Sequence, residues 1–173
     1  MSDAEKTGGG DPETLKGGKI LRYLVRRARD RDPRHYMDAL NCLRDSQVIV
    51  PCVVGMSDAA LQMFRNAKAG DVIAPDESLR FVPDMIKSGG EFYLPVFSNH
   101  GQMGENYRSG SSTITMDFLE AMEIASARKE LSGIVLDAFT VPLYITKNLF
   151  DLARSLPSRL DPEKSKRFRP ENY

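Results

Sequence analysis

The sequence predicts an α+β fold, a single domain in which a short mixed or antiparallel sheet with two hairpins packs against helices. Three observations carry that expectation. Apolar residues recur at three- and four-residue steps in some stretches and form continuous β-branched runs in others. The two kinds of stretch follow one another as α-α-β-(α)-β-β-α-β-β-α, which is not the alternation of a parallel α/β sheet. The chain has 173 residues, 41% hydrophobic and 28% charged, enough for one core without disulfides or metals.

Lys19 to Asp30 places Ile20, Leu21, Leu24, Val25 and Ala28 at helical spacing, with Arg22, Arg26, Arg27 and Arg29 on the other faces. Asp32 and Pro33 make an N-cap and first-turn pair for a second helix carrying Tyr36, Met37, Leu40 and Leu43 and ending near Asp45. Val48 to Val54 is an apolar, β-branched run that reads as a strand buried on both faces. Ser57 caps a short helix through Ala59, Leu61, Met63 and Phe64. Leu79 to Ile86 and Glu91 to Ser98 read as strands that pair antiparallel through Lys87-Ser88-Gly89-Gly90. Thr115 is expected to cap a helix from Met116 to Lys129. Gly133 to Asp137 and Val141 to Ile145 form a second hairpin across Ala138-Phe139-Thr140, and Thr146 caps a last helix through Leu149, Phe150, Leu152 and Ala153. Pro51, Pro83 and Pro95 each delete a ladder donor, so each must face an unpaired edge or a bulge.

Residues 1–18, with Gly8-Gly9-Gly10 and Gly17-Gly18, and residues 157–173, rich in charge and proline, bury too little apolar surface to offset chain entropy. They are expected to be disordered, leaving the domain at 19–156. Basic and acidic residues balance at 24 each, which argues against a nucleic-acid or anionic-membrane protein. Locally the balance breaks, because Lys19 to His35 carries seven basic against two acidic residues. Arg22, Arg26, Arg27 and Arg29 are thus the candidates for binding a partner, either an acidic surface elsewhere or the chain's own acidic body. No stretch approaches the ~20 apolar residues of a membrane helix, and the beginning lacks a signal-peptide pattern, so a cytoplasmic location is expected.

Cys42, Cys52, His35 and His100 lack the spacing of a tetrahedral site, so no metal and no cofactor is expected. Both cysteines read as small core residues. No phosphate-binding glycine motif, zinc-protease motif or nucleophile elbow occurs, and no catalytic residue is assigned. Ser109-Gly110-Ser111-Ser112 reads as a loop rather than an anion cradle. Asp84, Glu105 and Asp137 are carboxylates near strand ends or turns, and Ser98 and His100 share a turn; Asp84, Ser98, His100 and Asp137 are therefore the candidate ligand-binding residues.

One ordered set of segments has a counterpart in a known family. Val48-Ile49-Val50-Pro51, Leu79-Arg80-Phe81-Val82-Pro83-Asp84, Phe92-Tyr93-Leu94-Pro95-Val96-Phe97-Ser98, Gln102-Met103-Gly104-Glu105 and Gly133-Ile134-Val135-Leu136-Asp137-Ala138-Phe139 together resemble the SseB protein N-terminal domain family, over roughly His35 to Ala153. Many members carry Asn-Pro where this chain has Asp137-Ala138. The resemblance implies a small bacterial, cytoplasmic α+β domain, and it brings no established catalytic residue or cofactor. Two readings follow. One is a non-enzymatic protein-interaction or regulatory module using strand edges and the basic helix. The other is a small-ligand sensor or weak enzyme with a pocket near Asp84, Ser98 to Gly101 and Asp137.

Overall fold

The computed structural model describes residues 18–55, 58–70, 80–108 and 111–159. Most of both terminal segments expected to be disordered, and Ser109-Gly110, lie outside them. The elements are helices α1 (Lys19–Arg27) and α2 (Pro33–Arg44), strand β1 (Gln47–Gly55), α3 (Asp58–Asn66), β2 (Arg80–Pro83), β3 (Ile86–Ser88), β4 (Glu91–Val96), α4 (Glu105–Arg108), β5 (Ser112–Asp117), α5 (Phe118–Ala127), β6 (Leu131–Leu136), β7 (Leu143–Thr146) and α6 (Phe150–Ser155), with 3-10 turns at Ala28–Asp30, His100–Met103 and Lys147–Leu149. The fold is α+β, as expected.

The strands form two sheets, ordered β2-β1-β5 and β3-β4-β6-β7, and among the described residues one isolated bridge, Ile49 with Phe97, joins them. The prolines explain why the bridge stops there. Ile49 and Phe97 exchange both backbone hydrogen bonds at 2.9 Å. The next antiparallel pair of that ladder would set Pro51 opposite Pro95, and neither has an N–H to give. Pro51 instead accepts from the Asp84 N–H at 2.9 Å, so β1 changes partner to β2. By the same alternation Pro83 turns its nitrogen to the outer edge of β2, where no donor is needed.

Two sequence expectations need correction. Leu79 to Ile86 is not one strand: it breaks at Asp84-Met85, β2 joining β1 and only β3 forming the hairpin with β4. Thr115 is not a helix cap but lies inside β5, and α5 begins after Asp117, whose N–H donates to the Glu120 carboxylate at 3.2 Å as that side chain reaches back. Smaller differences occur at the ends. Val53 is exposed, so β1 is buried on both faces only over its first part. Thr146 precedes a 3-10 turn, its hydroxyl bonding the Asn148 side chain, and α6 starts at Phe150. Gly18 is buried rather than part of a loose segment, and the Arg159 N–H donates to Asp45 at 2.8 Å.

The main core lies between the sheets and the helices. Leu21 and Val25 of α1, Leu40 and Leu43 of α2, and Phe118, Leu119 and Met122 of α5 meet Val48, Val50, Leu94, Val96, Ile134 and Leu136. Each such side chain contributes about 1.5–3 kcal/mol by leaving water. Ile49 and Phe97 form a second, smaller cluster with Met103 and half-buried Tyr107. Among the described residues no helix is long and apolar enough to cross a membrane.

Candidate functional site

The parallel pairing of β4 and β6 builds the site. Leu94, Pro95 and Val96 lie beside Ile134, Val135 and Leu136, so Ser98, two residues past the end of β4, and Asp137, the first past β6, arrive side by side. Ligands of open parallel sheets gather at these carboxyl ends of strands. Asp137 turns the chain with φ of 50°, a left-handed conformation that Asp and Asn tolerate better than other side-chain-bearing residues. Its N–H donates to the Val96 carbonyl at 2.9 Å. Its carboxylate accepts the Ser98 N–H on Oδ1 and the Ser98 hydroxyl on Oδ2, each at 2.8 Å. Ser98 is 4% exposed and Asp137 2%, so the pair is a closed clasp below the surface.

Helix α1 seals this clasp. Gly18 adopts φ of 66°, and a Cβ there would lie 3.0 Å from the Ser98 carbonyl oxygen. Arg22, one turn on, donates from its Nε to the Gly18 carbonyl at 3.3 Å. Burial raises the Asp137 carboxyl above the usual range, while the Ser98 backbone and hydroxyl donors and the charge of Arg22 pull it back down.

Asp84 is held elsewhere. Its Oδ1 accepts the Met85 N–H and its Oδ2 the Tyr107 hydroxyl, both at 2.8 Å. Burial, and then the Asp84 acceptor, hold the Tyr107 phenol far above its ordinary value, so it stays protonated and donating. Tyr107 in turn packs its ring 5.3 Å from that of Phe139, which stacks on Phe97 at 5.7 Å and 21°. Met103, Gly104, Glu105, Tyr107 and Phe139 line an open groove of about 440 Å³. The Thr140 hydroxyl donates to the Gln102 side chain at 2.6 Å, tying the turn after β6 to the turn after β4.

The structure thus joins Ser98 to Asp137 and Asp84 to Tyr107, while His100 stands exposed on its 3-10 turn. Glu105 lies on the groove rim. The four arginines separate as well. Arg22 faces the clasp, Arg27 donates to His35 Nε2 at 2.5 Å and lies over the Tyr23 ring, and Arg26 and Arg29 are exposed. Sequence reasoning missed the groove's aromatic wall. Its signal was weak: Phe97 directly follows β4, Tyr107 lies inside the four-residue helix α4 and Phe139 sits in the turn after β6, so no shared period links them.

A family profile for the SseB protein N-terminal domain matches residues 21–149, most of the chain. The chain belongs to the SseB N-terminal domain family. The match begins at Leu21, within α1, so most of the helix that closes over Ser98 and Asp137, Arg22 included, belongs to the SseB domain, while Gly18 precedes the matched span. The clasp, the groove and both sheets fall inside the same matched span. No curated protein and no solved structure gives a significant match.

Proposed function

We propose that this SseB-domain chain is a non-enzymatic protein-interaction module that takes an apolar side chain of a protein partner into the groove of Phe139, Tyr107 and Met103. The observation that carries the reading is Phe139. Its ring is 51% exposed yet fixed in place by stacking on buried Phe97, and an exposed, immobilised aromatic at a concave site is what binding hot spots are made of. The Ser98 and Asp137 clasp supports the same reading. The serine proton is committed to the carboxylate and both groups lie beneath the surface, so the pair holds the two strand ends rather than facing a substrate. Two unpaired cysteines, Cys42 and Cys52, suit a reducing cytoplasm.

Capture from native extract, comparing wild type with Phe139→Ser and with Phe92→Ser as a control of similar exposure, tests the reading. Proteins retained by wild type and the control but lost at least tenfold with Phe139→Ser support it. Equal capture by all three contradicts it.

The basic helix divides into two roles that one experiment separates. Arg22→Glu sets a carboxylate toward Asp137 and is expected to lower the melting temperature by several degrees. Arg26→Glu with Arg29→Glu changes exposed charge alone and is expected to leave melting within a degree or so while weakening capture of an acidic partner at low salt. Thermal melts by circular dichroism at two salt concentrations read both.

A further inference from the structure

We propose that the chain forms a two-fold homodimer by pairing β5 with the β5 of a second copy. The inference is independent of the groove and rests on how the four sheet edges are finished. An open edge strand presents a row of free backbone groups, and folded proteins blunt such edges with proline, charge, shortness or cover. β2 ends in Pro83, whose nitrogen faces outward. β3 has three residues and carries Lys87 at its centre. β7 follows Pro142, and its outward Tyr144 carbonyl is taken by the Tyr36 hydroxyl at 2.9 Å. From Ser112 to Met116 β5 has none of these devices, and its one charge, Asp117, stands at its end as the cap of α5. It runs Ser-Thr-Ile-Thr-Met-Asp, without proline or a basic residue, and among the described residues no strand pairs with its outer side.

The outward groups can be named. The Phe118 N–H bonds the Ser46 carbonyl, and Ile49 bonds Phe97 on the opposite side of β1. The alternation of an antiparallel ladder then turns Ile114 and Met116 toward β1 and the backbones of Thr113 and Thr115 away from it. Both threonines are exposed.

The strand is self-complementary about Ile114. With the two-fold axis there, Thr113 of each copy faces Thr115 of the other and exchanges both backbone bonds with it. Ile114 meets its own counterpart, Ser112 meets Met116, and no like charges are opposed. The half-buried Ile114 and Met116 gain cover on the face that already packs on the core. The product is a continuous six-stranded sheet with an isologous interface, the commonest closed symmetry.

The mass in solution tests this. Light scattering behind size exclusion is expected to give twice 19.3 kDa for the wild type and 19.3 kDa for Thr115→Pro. Because the Thr115 N–H faces away from β1, proline removes no bond within one copy, so circular dichroism and melting stay as in the wild type. Phe81→Ser, on the β2 edge, and Phe139→Ser, in the groove, are expected to leave the dimer intact. Ile114→Cys reports the register: opposed Cα atoms about 4.5 Å apart in a non-hydrogen-bonded pair fall within disulfide reach, and oxidation should give a covalent dimer that wild type does not. A wild type that stays at 19.3 kDa up to its solubility limit overturns the proposal, as does a dimer that survives Thr115→Pro.

Discussion

Gly133→Ala is expected to lower stability by about 3 kcal/mol or more, and Gly133→Val to yield no folded protein. The cause is close approach. A Cβ at Gly133 would lie 2.2 Å from the Ile145 carbonyl oxygen and 2.8 Å from the Thr146 Cα, both backbone atoms of the neighbouring strand β7. Real Cβ atoms do not sit so near other heavy atoms, so one strand must move. β6 cannot, because it is held between β4 and β7, and the register against β4 already shifts at this point, Leu131 facing Phe92 and Gly133 facing Tyr93. Moving β7 would disturb Ile145, which is fully buried in the main core. At about 2–4 °C per kcal/mol for a chain of this size, the alanine variant should melt about 10 °C lower. A melt within a degree or two of wild type would show that the strands are farther apart than described.

Asp137→Ala is expected to cost about 3–5 kcal/mol, and Asp137→Asn far less. Alanine strands the Ser98 N–H and hydroxyl, both in a residue only 4% exposed. A buried donor left without a partner costs about 1–3 kcal/mol. Alanine also has to hold the left-handed backbone, which adds about 1–2 kcal/mol. Asparagine keeps the conformation, accepts the Ser98 N–H on its oxygen and donates its amide to the Ser98 hydroxyl. The asparagine variant also isolates a pH effect. Burial raises the Asp137 carboxyl in the folded state, so between the ordinary carboxylate range and that raised value the folded protein holds more protons than the unfolded one. Stability from this group is complete below the ordinary range and is lost as pH rises through the folded value. Melting of wild type minus melting of Asp137→Asn should therefore fall as pH increases from about 4. A flat difference, or one that rises, would contradict the buried clasp.

The parts of this fold written in local periodicity were readable in the sequence. Leu21, Leu24, Val25 and Ala28 mark α1, Asp32-Pro33 opens α2 by accepting the Arg34 N–H at 2.9 Å, and the apolar runs at Val48 and Gly133 mark β1 and β6. What failed was overlap and distance. At Ile114 and Met116 a two-residue period runs straight into the helical spacing of Phe118, Leu119 and Met122, and only the Glu120 side chain's return to Asp117 decides where one stops. Leu79 to Ile86 reads as one run because hydrophobicity does not record a change of sheet; the break comes at Asp84, where β1 passes from Phe97 to β2 and Pro51 accepts the Asp84 N–H, a tertiary fact. Ser98 and Asp137 were each singled out, but their contact spans 39 residues and needs the parallel pairing of β4 with β6. The groove is farther still from local signals, since Met103, Tyr107 and Phe139 come from a 3-10 turn, a short helix and a hairpin turn that meet only in three dimensions.

The most direct measurement is photo-cross-linking in the native cells, with a benzophenone side chain in place of Phe139 and, separately, in place of Phe92. Both rings are exposed, Phe139 to 51% and Phe92 to 37%, but only Phe139 lines the groove. The expected result is a discrete protein adduct from position 139, absent from position 92 and abolished when Tyr107→Ala removes the facing wall. Adducts of the same proteins from both positions, or none from position 139, would contradict a docking groove at the ends of β4 and β6.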